Sequence, residues 1–240
     1  MEQVFSSHTH CEALSGEFRG KLCEQLTSRP HKTVAQGDYV YLSGDPATSI
    51  YFVRAGLVKV SVPMEDGKEV LLRIYQAGEI FGEFCLCSGT SREQAQTMEN
   101  SEIVEISFED LLAQLQHSRQ VLMQFLNSMS RRLAGAYEQI HILSFDRRME
   151  RLIRTLLRLA HDMGESTEQG IKIEPILTQD DLAQMIAARR EVTSTLLNQL
   201  RNLRLIDYSR GGHILINQRG LEEYLASHDD KVVADQPLTK

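Results

Sequence analysis

Four residues near the carboxyl end are spaced for reading the edges of bases. Arg190, Glu191, Ser194 and Thr195 stand at i, i+1, i+4 and i+5, so on a helix all four project from one face of its amino-terminal half. An arginine can grip guanine through O6 and N7, and a glutamate can accept from the N4 amino group of cytosine, which makes Arg190 and Glu191 the candidate readers. Thr178, Gln179 and Arg189 before the reading face join it as candidate DNA-binding residues, and Arg210 and His213 in a glycine-rich turn after it are suited to phosphates. Phosphate contacts position a protein on a duplex without reading its sequence. Between Leu182 and Arg219 six arginines face only Glu191 and Asp207, although the whole chain carries a net charge of −7. The positive end of an acidic chain is the candidate nucleic-acid surface.

Two short helices must present that face. Thr178 is a capping residue type, Asp180 and Asp181 suit a first turn, and Leu182, Met185 and Ile186 fall on one side, which predicts a helix here. Ala187-Ala188-Arg189 makes a tight connection to a second helix, Arg190 to Leu203, with Val192, Leu196, Leu197, Leu200 and Leu203 turned inward. Helices joined so closely cross steeply, as in a helix-turn-helix. Leu205 to Ile216 then reads as two β-runs about Gly211-Gly212, a hairpin wing. The bland alternative is a small helical domain with merely solvated charges; helix pair, reading face and wing in this order weigh against it.

The rest of the chain changes period once. From His31 to Ser107 short apolar runs such as Ile50-Tyr51-Phe52-Val53 and Ile103-Val104-Glu105-Ile106 alternate with turn formers such as Gly44-Asp45-Pro46, the pattern of a β-barrel or sandwich. Ser107 can cap a helix. Beyond it Leu122, Leu126, Met129, Leu133, Ala136, Ile140 and Leu143 recur in steps of four and three, a coiled-coil seam, which favours pairing with a second copy over a helix lying on its own β-domain. Ser144-Phe145-Asp146 interrupts that helix as a hinge candidate, with Asp146 placed to cap a helix from Arg147 to Met163. Gly164 to Gly170 reads as a loop, and Ile171-Lys172-Ile173 as a short strand. The expected divisions are 1–107, the β-domain with an N-terminal extension; 108–144, a dimerisation helix and hinge; 145–225, a winged helix-turn-helix; and 226–240, a mobile tail.

Composition removes other classes. With 42% hydrophobic and 25% charged residues among 240, the chain matches soluble globular proteins, and no run approaches the ~20 apolar residues of a membrane span. Met1 to His8 shows no secretory start, so the expected location is cytoplasmic, with no membrane partner. Cys11, Cys23, Cys85 and Cys87 are expected as reduced thiols; Cys85 and Cys87 can be read as redox sensors, haem ligands or ordinary packing residues. Beyond His8-Thr9-His10 no histidine pair has metal-ligand spacing, so no metal site is assigned. No nucleophile elbow, Walker loop or carboxylate pair is visible, so no catalytic residues are assigned and no enzyme is expected.

The order of β-roll, long helix, hinge and winged helix resembles the Crp/Fnr family of regulators over residues 30 to 220. Its most specific stretches are Gly78-Glu79-Ile80-Phe81-Gly82-Glu83, similar to the phosphate-binding cassette of cyclic-nucleotide domains, and Leu177 to Ala183 through Arg190-Glu191-Val192. The resemblance implies an α+β fold: an N-terminal jelly roll of the cyclic-nucleotide-binding kind, a long dimerisation helix and a C-terminal winged helix-turn-helix. It implies a homodimeric, sequence-specific transcription regulator at a two-fold symmetric site, with double-stranded DNA, a second copy of the chain and RNA polymerase as partners. The effector set it implies is Gly82, Glu83 and Arg92, with Arg132 and Tyr137 on the long helix, chemistry that suits a small anion. Three departures stand out: Glu93 where the family has a serine, Ala136 and Tyr137 in place of a hydroxyl pair, and Thr195 in place of a further arginine. The first two count against cyclic AMP and leave three readings of the pocket: another anion such as a nucleotide or dicarboxylic acid, no ligand, or a vestige that only stabilises the β-roll. The alternative function is a regulatory module that controls a partner protein without DNA.

Overall fold

A computed structural model describes residues 26–65, 67, 69–83, 89–145, 147–209 and 211–233. Expectations resting on the four cysteines, His8, His10, Asp146 and Arg210 lie outside these residues. Contacts divide the chain into two units, 1–135 and 136–240.

In the first unit, β1 (Lys32–Val34), β2 (Tyr39–Tyr41), β3 (Ser49–Ala55), β4 (Leu57–Pro63), β5 (Glu69–Gln76), β6 (Ile80–Phe81), β7 (Gln94–Thr97) and β8 (Ser101–Ser107) build two four-stranded sheets. Their orders are β1-β8-β3-β6 and β2-β7-β4-β5, with antiparallel neighbours throughout. The alternation of β3 and β8 explains the arrangement. Ile50, Phe52, Val104 and Ile106 face one core, where Leu111 of α1 (Phe108–His117) and Val121 and Phe125 of α2 (Arg119–Ser144) close it. Val53 and Ile103 face the opposite core with Tyr41, Val58, Val60, Tyr75 and Phe81. Each such side chain contributes ~1.5–3 kcal/mol by leaving water, so β3 and β8, buried on both faces, anchor the unit.

The jelly-roll expectation holds, and the strand the apolar pattern misses is informative. β7 reads Gln-Ala-Gln-Thr, without apolar alternation, yet Gln94, Ala95 and Thr97 are buried. Polar partners replace apolar ones: Gln94 Nε2 donates to Glu69 Oε1 at 2.9 Å and Thr97 Oγ1 to the Ala35 carbonyl at 2.5 Å. Ser107 caps α1 as expected, accepting from the Asp110 amide at 3.1 Å. The helical stretch then breaks at Ser118, whose hydroxyl accepts from the Val121 amide at 3.3 Å and starts α2 afresh.

The second unit contains α3 (Arg148–Met163), β9 (Gly164–Thr167), β10 (Gly170–Ile173), α4 (Gln179–Met185), α5 (Arg190–Asn202), β11 (Ile206–Tyr208), β12 (Ile214–Ile216) and α6 (Gln218–Val233). The hairpin β11–β12 joins β10 and β9 in the order β11-β12-β10-β9. The expected loop from Gly164 is therefore an edge strand; its residues are all exposed, so it carries no apolar signal, and Lys172 ties it down through Glu165 at 3.1 Å. α3 starts at Arg148 with no side-chain cap from Arg147. The expected tail is helical as far as Val233, because nothing between Leu221 and Val233 is glycine or proline.

The break at Ser144 falls inside the second unit. Ile142 is buried there, and the Arg154 guanidinium lies 4.1 Å from the centre of the Phe145 ring. Contacts divide the two units within α2, at Gly135 and Ala136.

Candidate nucleic-acid interface

The position of α5 is set at the end of α4. A helix ends with unsatisfied carbonyls, and here two of them are taken by other helices: Gln139 Nε2 donates to the Met185 carbonyl at 2.6 Å and Arg151 Nη1 to the Ile186 carbonyl at 3.1 Å. The turn is completed by Ala187 in the left-handed region, φ 51°, and by the Ala188 amide donating to the Ala183 carbonyl at 2.9 Å. At its start α4 has a complete capping box. Thr178 Oγ1 accepts from the Asp181 amide at 3.1 Å while Asp181 Oδ2 accepts from the Thr178 amide at 3.0 Å.

On α5 the inward face is Thr193, Leu197 and Leu200, with Val192 and Leu196 half-buried. Leu203 was expected in the core and is instead 53% exposed, since the helix ends at Asn202 and Leu203 is its cap. The buried Thr193 hydroxyl donates to the Arg189 carbonyl at 3.2 Å, fixing the residue before the helix. Arg189, Arg190, Glu191 and Thr195 are exposed, and Ser194 is half-buried. The Thr195 hydroxyl donates to the Glu191 carbonyl at 2.9 Å, so what it turns outward is chiefly a methyl group, suited to the methyl of thymine. Thr178 and Gln179 are exposed beside this face. In the wing His213 Nδ1 lies 2.6 Å from the Glu174 carbonyl; a carbonyl only accepts, so Nδ1 carries a proton. Nε2 can then donate to a phosphate only when the ring is protonated. The structure thus gathers Thr178, Gln179, Arg189, Arg190, Glu191, Ser194 and Thr195, and ties His213 into the wing. Sequence reasoning missed Asp180 beside Arg190, 3.6 Å away, whose only signal was its place in the first turn of α4.

The expected effector residues divide. Arg132 of α2, only 11% exposed, puts Nη1 2.5 Å from Oε2 of Glu83, and its guanidinium lies over Tyr75 at 5.3 Å. Gly82 beside Glu83 has φ +83°, and a Cβ there would stand 2.8 Å from the Tyr51 ring, so this turn accepts only glycine without rearrangement. Arg92 does not join them. It is exposed, and its neighbour Glu93 is the buried residue, with Tyr41 donating to Glu93 Oε1 at 2.7 Å. Tyr137 is 63% exposed and belongs to the second unit. Arg73 pairs with Glu79 at 2.8 Å, its guanidinium 5.4 Å from the centre of the Tyr75 ring. Burial, against the pull of the Tyr41 hydroxyl and Arg132 and with help from Glu83, raises Glu93 from 4.5 to about 7. Of the expected effector residues, Gly82, Glu83 and Arg132 therefore lie together, while Arg92 is exposed beside the buried Glu93.

Comparison with known proteins agrees with both halves. A family model described as Cyclic nucleotide-binding domain matches residues 31–118, and one described as Crp-like helix-turn-helix domain matches residues 150–224. The chain is 30% identical over 189 residues to the cAMP-activated global transcriptional regulator CRP of Haemophilus influenzae, covering 78% of this chain and 83% of that one. It is 28% identical over 201 residues to the Anaerobic regulatory protein of Bacillus subtilis, covering 83% and 84%. Among solved structures, the c-di-GMP responsive global regulator CLP of Xanthomonas campestris aligns with a TM-score of 0.68 at 26% identity, over 82% of this chain and 98% of that one.

Two predictions follow from this geometry. Ala187→Gly relieves a left-handed alanine and should raise stability by up to about 1 kcal/mol in urea unfolding; a loss would show that the turn is not strained. Below pH 4.5 Glu93 is protonated folded or unfolded; between 4.5 and about 7 only the unfolded chain releases the proton, so stability falls as pH rises and levels off above 7. Glu93→Gln should remove that slope and exceed the parent by about 3 kcal/mol at pH 8. Parallel pH profiles for the two proteins would contradict it.

Proposed function

The chain belongs to the Crp/Fnr family of transcription regulators, and from that premise we propose that it acts as a homodimer in which each copy reads one half of a two-fold symmetric DNA site with α5. It is a regulator rather than an enzyme, as its relatives are. The observation that carries the DNA reading is the exposed start of α5, where Arg190, Glu191 and Thr195 stand outward from a turn fixed by Gln139, Arg151 and Thr193. Arg190 takes guanine, Glu191 takes the cytosine amino group, Thr178, Gln179 and Arg189 add contacts beside them, and Arg210 and His213 are assigned to phosphates.

Pairing rests on α2. Val121 and Phe125 are buried in the β-roll core, whereas Leu122, Leu126, Leu133 and Ile140 are 37%, 47%, 52% and 65% exposed at the spacing of a seam. A second copy covers that stripe, and two-fold symmetry then sets two half-sites about one helical turn of DNA apart. The β-roll takes a small effector. The named relatives of this fold answer to different nucleotides, so likeness does not choose it; with Glu83 and Glu93 inside, a ligand offering hydrogen-bond donors suits this lining better than a phosphate. The regulator works in the cytoplasm and meets RNA polymerase on DNA; among the described residues no helix is long and apolar enough to cross a membrane.

Arg190→Ala should cost ~1–3 kcal/mol at one base pair per half-site and flatten preference there, measured by fluorescence anisotropy with duplexes varied one pair at a time. Unchanged preference at every position would remove Arg190 as the reader. Leu133→Glu should give a monomer in sedimentation equilibrium and weaken specific binding on the order of a hundredfold, because avidity between half-sites is lost. A stable dimer in that variant would place the subunit contact elsewhere.

A further inference from the structure

One exposed ion pair in the helix-turn-helix joins its two helices. Asp180, in the first turn of α4, places Oδ2 3.6 Å from Nη1 of Arg190, the first residue of α5. The side chains are 56% and 64% exposed, so the pair is weak and screened by solvent. The turn itself is held by the Thr178–Asp181 box, by Gln139 and Arg151 on the α4 carbonyls, and by buried Thr193. What remains for the pair is to choose among the rotamers of a long side chain. An arginine at the start of a recognition helix can swing to a phosphate or to a base edge, and losing that freedom on binding costs affinity. A carboxylate at its side narrows the choice before DNA arrives. It also makes the wrong choice costly: if Arg190 left for a phosphate, Asp180 would face the anionic backbone without its partner.

We propose that Asp180 is a positioning residue for Arg190, holding the guanidinium toward base edges and away from phosphates, and so sets the selectivity with which α5 reads DNA. This rests on the reading of α5 as the recognition helix. An acid in the first turn of a helix also stabilises that helix through its dipole, so a change in stability alone does not distinguish the two roles.

The experiment compares the full-length parent with Asp180→Asn, Asp180→Glu, Arg190→Ala and the double variant Asp180→Asn/Arg190→Ala. Each is titrated by anisotropy against the duplex that the parent selects from a random pool and against that duplex changed at each base pair in turn. Asp180→Asn should lose about two- to fivefold discrimination at the base pair that Arg190→Ala also flattens, and at no other. Its affinity for random-sequence duplex should rise, since a negative charge near the backbone is gone. Asp180→Glu should keep the preference, and in the Arg190→Ala background the asparagine should change no preference at all. Full discrimination in Asp180→Asn, with or without a lower melting temperature, overturns the positioning role, as does an equal loss when Arg190 is absent. A parent protein that selects no sequence overturns the DNA reading itself, a result distinct from either.

Discussion

A recognition helix can show a duplex only its first turns, so the function of this chain depends on how firmly the amino-terminal end of α5 is held. Arg189 and Arg190 are exposed, and the residue before the helix has no side-chain cap. Fixation comes from behind: the last carbonyls of α4 receive Gln139 and Arg151, and Thr193, fully buried, ties the Arg189 carbonyl to the second turn of α5. Buried or half-buried polar groups are expensive when unpaired, so each of these bonds selects one geometry of the turn over its alternatives. The same carbonyl partners explain why a left-handed alanine is tolerated at Ala187: the strain is local and the surrounding bonds over-determine it.

One reading face is modest in energy. A bidentate contact gives ~1–3 kcal/mol of discrimination, so specificity requires more than one copy of the face. Under the proposed pairing the exposed stripe of α2 would supply it, since Val121 and Phe125 on another side of that helix are buried in the β-roll core. Arg132 lies on that same helix and reaches into the β-roll to Glu83 over the ring of Tyr75. A ligand near Glu83 and Glu93 would therefore meet a side chain that α2 carries.

Much of this was legible in the amino-acid order. Period-two runs located β3, β4, β5 and β8, and the helix-turn-helix was readable because the Thr178 cap, the apolar faces and the tight connection agree with one another. β7 and β9 were not legible, since one replaces apolar contacts with buried glutamine and threonine bonds and the other is an exposed polar edge. In the β-roll the structure brings Glu83 and Arg132 together and leaves Arg92 exposed. Whether Arg92 or Glu93 turns inward depends on the register entering β7, and a polar strand has no alternation from which to read it. Asp180 escaped notice for a related reason: sequence spacing describes one helix at a time, whereas its partner lies across the turn.

The central claim, that two copies of α5 read DNA in two-fold register, is tested most directly by selecting bound duplexes from a random pool with the purified full-length protein and sequencing them. The account predicts an inverted repeat whose halves lie about one helical turn apart, with a guanine or cytosine strongly specified in each half. Recovery of single unpaired half-sites, or of no shared sequence across salt and pH, would contradict it.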